Sequence, residues 1–113
     1  MKYNFLFALC ILFSSQAFAS EWSSSTKVKE VIAGYKEGII LFSTKSPHHN
    51  PKNCPNASYY SVSQSEADLE MVLSILLAAQ RSDSEIQVGV DATKCGTISH
   101  AEGRMTVTRI KSL

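Results

Sequence analysis

Only one stretch of this chain, DLEMVLSILLAAQ at 68–80, repeats its apolar residues at helical spacing, and the segments on both sides of it alternate like short strands. A lone helix among strands builds neither a bundle nor a series of βαβ units, so the chain is confined to a mainly β, α+β architecture. Stepping 100° per residue places Leu69, Val72, Leu73, Leu76, Leu77 and Ala79 in one arc of roughly 160°, with Gln80 in the same arc, the width of an ordinary core-facing stripe. Met71, Ile75 and Ala78 form a second, smaller apolar face, and Glu66, Glu70, Ser74 and Arg81 form the wet one. Such a helix needs cover on two flanks. The face of Met71, Ile75 and Ala78 is therefore a candidate interface, with three possible covers: a loop or arm of the same chain, a second subunit, or a partner's segment lying in a groove.

The N-terminus has the pattern of a secretory signal. Lys2 gives a positive start, Phe5 to Phe13 an apolar core, and Ala17-Phe18-Ala19 a small-x-small cleavage site. The apolar run falls short of the roughly 20 residues a spanning helix requires. Cys10 raises a lipoprotein alternative, but Leu9 stands where a small residue belongs. The expectation is a cleaved signal peptide at 1–19 and one small domain at 20–113, exported to the periplasm or secreted.

Without residues 1–19 the acids and bases balance, and Trp22, Tyr35, Phe42, Tyr59 and Tyr60 are the only aromatic residues left. A neutral, aromatic-poor domain lacks the electrostatic attraction and the stacking platforms on which nucleic-acid binding relies. No run of like charge marks a membrane-surface patch. Two cysteines remain, Cys54 and Cys95, and in an oxidising compartment the pair reads as a disulfide closing a loop of about 41 residues. The alternative is a metal site drawing on Cys54, Cys95, His48, His49 and His100, but the short ligand spacings of zinc sites are absent. No metal or cofactor is expected.

Along the mature chain, SEWSSST (20–26) reads as an extended arm, and TKVKEVIAGY (26–35) and GIILFSTK (38–45) as a hairpin closed by Gly38. SPHHNPKNCPNAS (46–58) holds all three prolines and is a loop. Within it, Asn56-Ala57-Ser58 fits an N-glycosylation acceptor, which only a eukaryotic secretory route would use. SYYSVS (58–63) is a third strand. Ser63 with Glu66, or Ser65 with Asp68, stands at capping-box spacing, and the helix is expected to end near Arg81–Ser84. EIQVGVDA (85–92) and RMTVTRIKSL (104–113) supply two more strands around a long turn carrying Cys95. Strand, strand, strand, helix, strand, strand is the order of an OB-fold, a five-stranded barrel with one helix between strands 3 and 4, although other α+β meanders share it.

The segments LLAAQRSDSEIQVGVDATKCG and RMTVTRIKSL resemble a group of small exported bacterial proteins of unknown function, over roughly residues 54–113. More distantly, the chain from Ser20 onward is similar to the B subunits of pentameric AB-type toxins, and its Glu21-Trp22 start looks like that of the subtilase-type branch. That resemblance implies an OB-fold, a ring of subunits whose helices line a pore, and binding of host-surface glycans. The chain is short for the branch and has one disulfide where longer relatives have more, and no sugar-contact motif maps onto it, so no binding residue is carried over.

Catalytic chemistry has little to work with. No Gly-x-Ser-x-Gly elbow is present, and the one polar cluster, Asp91, Glu102 and His100 around the Cys95 loop, reads as solvated. Tyr59-Tyr60 places one ring in the core and one at the surface by strand alternation, or else forms a stacking edge for a ligand. The expected function is non-catalytic: a binding or assembly domain, as a homo-oligomer or against an envelope or host-surface partner such as a glycan. The alternative is a periplasmic inhibitor or accessory subunit for one envelope protein.

Overall fold

The computed structural model describes residues 20–113, so the signal-segment reading of 1–19 lies outside it. The alternating segments become strands β1 (Ser20–Trp22), β2 (Thr26–Tyr35), β3 (Ile39–Thr44), β4 (Tyr60–Ser63), β5 (Glu85–Cys95) and β6 (Met105–Ser112). The helix α1 (Leu69–Ser82) lies between β4 and β5, and a 3-10 turn (Ser99–Ala101) precedes β6. The protein is thus mainly β, with one helix and a six-stranded sheet.

Pairing is antiparallel for β2–β3, β3–β4, β5–β6 and β2–β5, and parallel for β4–β6 through Ser61 and Thr106. Followed from β2, these pairings run through β3, β4, β6 and β5 and return to β2. The arm expected at 20–26 is partly a strand, because Ser20, Glu21 and Trp22 pair with Asp91, Val90 and Gly89 of β5. β5 serves three partners in turn: Glu85 and Ile86 face β2, Gly89–Asp91 face β1, and β6 runs along its other edge. Register shifts in the β5–β6 pairing, on both sides of Val90, accompany this change of partner. At Gly89 the missing side chain matters. A Cβ there would lie 3.2 Å from the Trp22 ring and 3.0 Å from Arg109 Cγ. With no Cβ in the way, Arg109 and Lys111 both reach within 5 Å of the Trp22 ring centroid, at 4.8 and 4.5 Å.

The main core joins the inner faces of the strands to one face of α1: Val28, Ile40, Phe42, Tyr60, Val62, Ile86, Val88, Val90 and Val107 meet Val72, Leu76 and Ala79. β3 is buried along its whole length. Its outer-face residues Ile39 and Leu41 form a second small cluster with Ala101 of the 3-10 turn, flanked by Ile32, Tyr35 and Tyr59.

Helix α1 is capped by Asp68, whose Oδ1 accepts from the Met71 N–H at 3.1 Å. Of the serines expected to cap it, Ser63 instead closes the preceding turn, accepting through its carbonyl from Glu66 and Ala67 and through its hydroxyl from Ser65. The helix starts later because Asp68 is the residue that leaves the extended region with a carboxylate free to accept. Asp68→Ala is expected to cost about 1 kcal/mol in a denaturant titration. At the other end Asp83 turns left-handed (φ 57°), and its carboxylate meets Lys27 Nζ at 2.9 Å.

The two apolar flanks of α1 fare differently from a simple primary and secondary division. Leu69, Leu73 and Ile75 are half-buried against the main core, whereas Met71 is 63% exposed and Leu77 40%. Ala78 is exposed as well. The Pro-rich loop and β1 thus leave Met71 uncovered. No helix among the described residues is long and apolar enough to cross a membrane.

Candidate binding cleft

The 46–58 loop folds against the end of β3 through a dense set of local bonds. Thr44 Oγ1 donates to the Ser46 carbonyl at 2.9 Å, and the Ser46 N–H donates to Thr26 Oγ1 on β2 at 3.2 Å. The His48 ring stacks on Tyr60, with centroids 4.2 Å apart, and its Nε2 accepts from the Thr44 N–H at 3.3 Å. The His49 N–H donates to Tyr60 Oη at 2.6 Å. Further along, Asn50 clasps the Cys54 backbone at both ends, donating through Nδ2 to its carbonyl and accepting its N–H. Cys54 is joined to Cys95 with Cα atoms 5.7 Å apart, which ties the loop entering β4 to the last residue of β5.

This folding leaves a cleft of about 530 Å³ between β2, the end of β3 and the loop, lined by Lys29, Glu30, Ser43, Lys45, His48 and Tyr59 among others. Ser43 is only 6% exposed, and its Oγ is a buried side-chain polar atom with no hydrogen-bond partner among the described residues. Leaving a buried hydroxyl unpaired costs about 1–3 kcal/mol. Across the cleft Tyr59 Oη donates to Glu30 Oε1 at 2.9 Å, and that bond to the carboxylate raises the phenol's pKa above its ordinary 10.0. Arg104 braces this wall: its guanidinium lies 5.5 Å from the Tyr59 ring centroid and donates to Ser58 Oγ at 3.0 Å and to the His100 carbonyl at 2.9 Å. The lining is hydroxyl-rich and includes the two cations Lys29 and Lys45. Such a surface offers hydrogen bonds.

The other polar residues singled out in sequence are distributed elsewhere. His100 does not join Asp91 and Glu102. Its Nδ1 meets Glu37 Oε2 at 2.8 Å, its ring stacks on Tyr35 at 3.9 Å, and the neighbouring Ser99 hydroxyl donates to the same carboxylate. The Ser99 hydroxyl, and then His100, hold the Glu37 carboxyl at about 2, against an ordinary 4.5. Asp91 instead accepts from the backbone and hydroxyl of Thr93. Tyr60 is buried at 1% exposure and Tyr59 is half-buried, one ring in and one out. His49 faces Glu21 at 3.0 Å, Asn56 is exposed, and no group of three or more His, Cys, Asp or Glu side chains among the described residues is placed to hold a metal ion. Sequence reasoning had no means of finding Ser43, since a serine in a β-forming run reads as an ordinary surface position. Compared with known protein families, with curated proteins and with solved structures, the chain matches none.

Proposed function

We propose that residues 20–113 form an exported, non-catalytic binding domain on an OB-fold barrel, and that the cleft around Ser43 takes a hydroxyl-rich ligand, a surface glycan. The barrel is supported by the cyclic order of pairings, by the parallel β4–β6 contact and by the helix between β4 and β5, the third and fourth of the five cyclically paired strands in chain order. Export is supported by the Cys54–Cys95 disulfide, a bond that persists in oxidising compartments. OB-folds bind oligonucleotides or oligosaccharides on the face of their second and third strands and on neighbouring loops, and here the end of β3, the loop that follows it and the approach to β4 supply the lining together with Lys29 and Glu30 of β2. Balanced charge favours the sugar over the nucleic acid.

The single observation that carries this reading is the hydroxyl-rich lining of the cleft, on which Ser46, Ser58 and Tyr59 stand with Lys29 and Lys45. Its test is a printed oligosaccharide array probed with the exported protein and with Tyr59→Phe. Phenylalanine keeps the half-buried ring and removes the hydroxyl, so the variant is expected to melt at about the same temperature while its glycan binding weakens roughly three- to tenfold. No retention of any glycan by the wild-type protein would sink the proposal, as would retention that Tyr59→Phe leaves unchanged.

Assembly into a ring resembling a toxin B subunit is supported by one further observation, the 63% exposure of Met71 on a helix flank shared with Ala78 and the half-buried Ile75. Light scattering on the mature protein tests it. A closed oligomer supports the ring, and a monomer that captures a single envelope protein favours the inhibitor or accessory-subunit alternative.

A further inference from the structure

We propose that His48 is a proton-operated latch on the cleft: its neutral ring fastens the loop at 47–49 to β3 and β4, and protonation releases that wall. The inference rests on the reading of the cleft as a binding site and adds a control to it. The geometry requires a neutral imidazole. Nε2 accepts the Thr44 N–H, and a proton on that nitrogen would set donor against donor. The ring also lies flat on Tyr60, whose Oη accepts the next amide, that of His49, so both amides depend on how the imidazole sits.

The surroundings favour the uncharged form. Lys29 and Glu30 from β2 and Lys45 from the loop line the same cleft as His48, and Glu30 is already engaged by Tyr59 Oη. Tyr60 from β4 is buried under the ring, and the nearest acid on β1, Glu21, is held by His49. No carboxylate among the described residues is paired with His48. Burial of the ring lowers its pKa below the ordinary 6.5, with the Ala57 carbonyl pulling weakly the other way. A lowered pKa in the folded state means that the latch's contribution is complete above about 6.5 and is lost as pH falls through the lowered value. Release stays local, because the Asn50 clasp and the Cys54–Cys95 bond hold the far end of the loop.

The test is amide hydrogen exchange across the acid range, read as protection factors so that the intrinsic pH dependence divides out, on the wild-type protein and on His48→Gln. Glutamine keeps a flat side chain and a carbonyl acceptor but does not titrate. In the wild type, protection at Thr44 and His49 is expected to fall together by about tenfold or more as His48 gains its proton, while Val62 and Val107 keep theirs. In His48→Gln both amides are expected to hold steady over the same range. Constant wild-type protection through the His48 titration would overturn the latch, and so would an identical acid loss in the glutamine variant. These readouts use no ligand, so a silent glycan array at neutral pH would count against the cleft alone. Where the array does retain a glycan, its signal should drop in the wild type over the same acid range in which Thr44 and His49 lose protection and persist in His48→Gln, because apparent affinity scales with the latched fraction.

Discussion

Replacing Cys54 and Cys95 together by alanine is expected to lower the stability of the domain by about 4 kcal/mol, the chain-entropy value for the 41-residue separation that the bridge spans. For a domain of this size such a loss moves the melting temperature by on the order of 15–30 °C. Alanine is preferable to serine because Cys54 is 3% exposed and its sulfur lies 3.3 Å from that of Met105, where a hydroxyl would meet an apolar group. Thermal unfolding followed by circular dichroism measures the effect, and reductant added to the wild-type protein should reproduce it. A change of less than about 5 °C by either route would mean that the bridge constrains little of the unfolded chain. The consequence extends beyond stability. The same bond anchors the loop that walls the candidate cleft, so any glycan retention that the array detects should be lost on reduction even at temperatures where the protein remains folded.

The second large effect concerns the two sides of α1. Leu76 is fully buried, at 0% exposure, where the helix meets the strands, and Leu76→Ala is expected to cost about 2–5 kcal/mol through lost transfer energy and the cavity left behind. Met71→Ser, one turn away on the flank that stands 63% exposed, should change the stability of the monomer by less than about 0.5 kcal/mol. Equilibrium urea unfolding of the two variants at several protein concentrations makes the comparison. A small effect of Met71→Ser at every concentration is the behaviour of a flank exposed to water. A large loss that grows with concentration would identify the flank as a surface buried between copies.

The two experiments probe different levels of the fold, and the levels differ in how far they were legible beforehand. The hairpin of β2 and β3, the loop at 46–58, the single helix and the strands β5 and β6 could all be anticipated, since each is written in a period of two or of 3.6 residues and in local turn chemistry. The cap was misplaced by a few residues because three candidate acceptors, Ser63, Ser65 and Asp68, crowd the same turn, and only the backbone path shows which of them receives a helix N–H. The N-terminal arm became a strand because β5 has an edge left open beyond its short pairing with β2, and Ser20–Trp22 fill it. A three-residue segment carries no period of its own by which this could be foreseen.

The candidate site was the least legible part. Its lining comes from β2, from the end of β3 and from the approach to β4, and what distinguishes Ser43 is the absence of a partner. The polar residues that stood out in sequence were the histidines and acids, and their partners were out of reach for a related reason: His100 finds Glu37, 63 positions away, in preference to the acids nearest to it along the chain.

By itself the sequence determined the helix and the five strands β2 to β6, which face of α1 enters the core, and that Cys54 and Cys95 are each other's partners in an oxidising setting. Those properties depend on neighbours along the chain and on residue chemistry. The tertiary structure alone decided that the pairings return from β5 to β2, that the chain's own described segments leave Met71 uncovered, and that one serine hydroxyl is sealed against the wall of a cleft with nothing to bond. These depend on how distant segments share space, and a local period fixes only the side a residue faces, never what waits on that side.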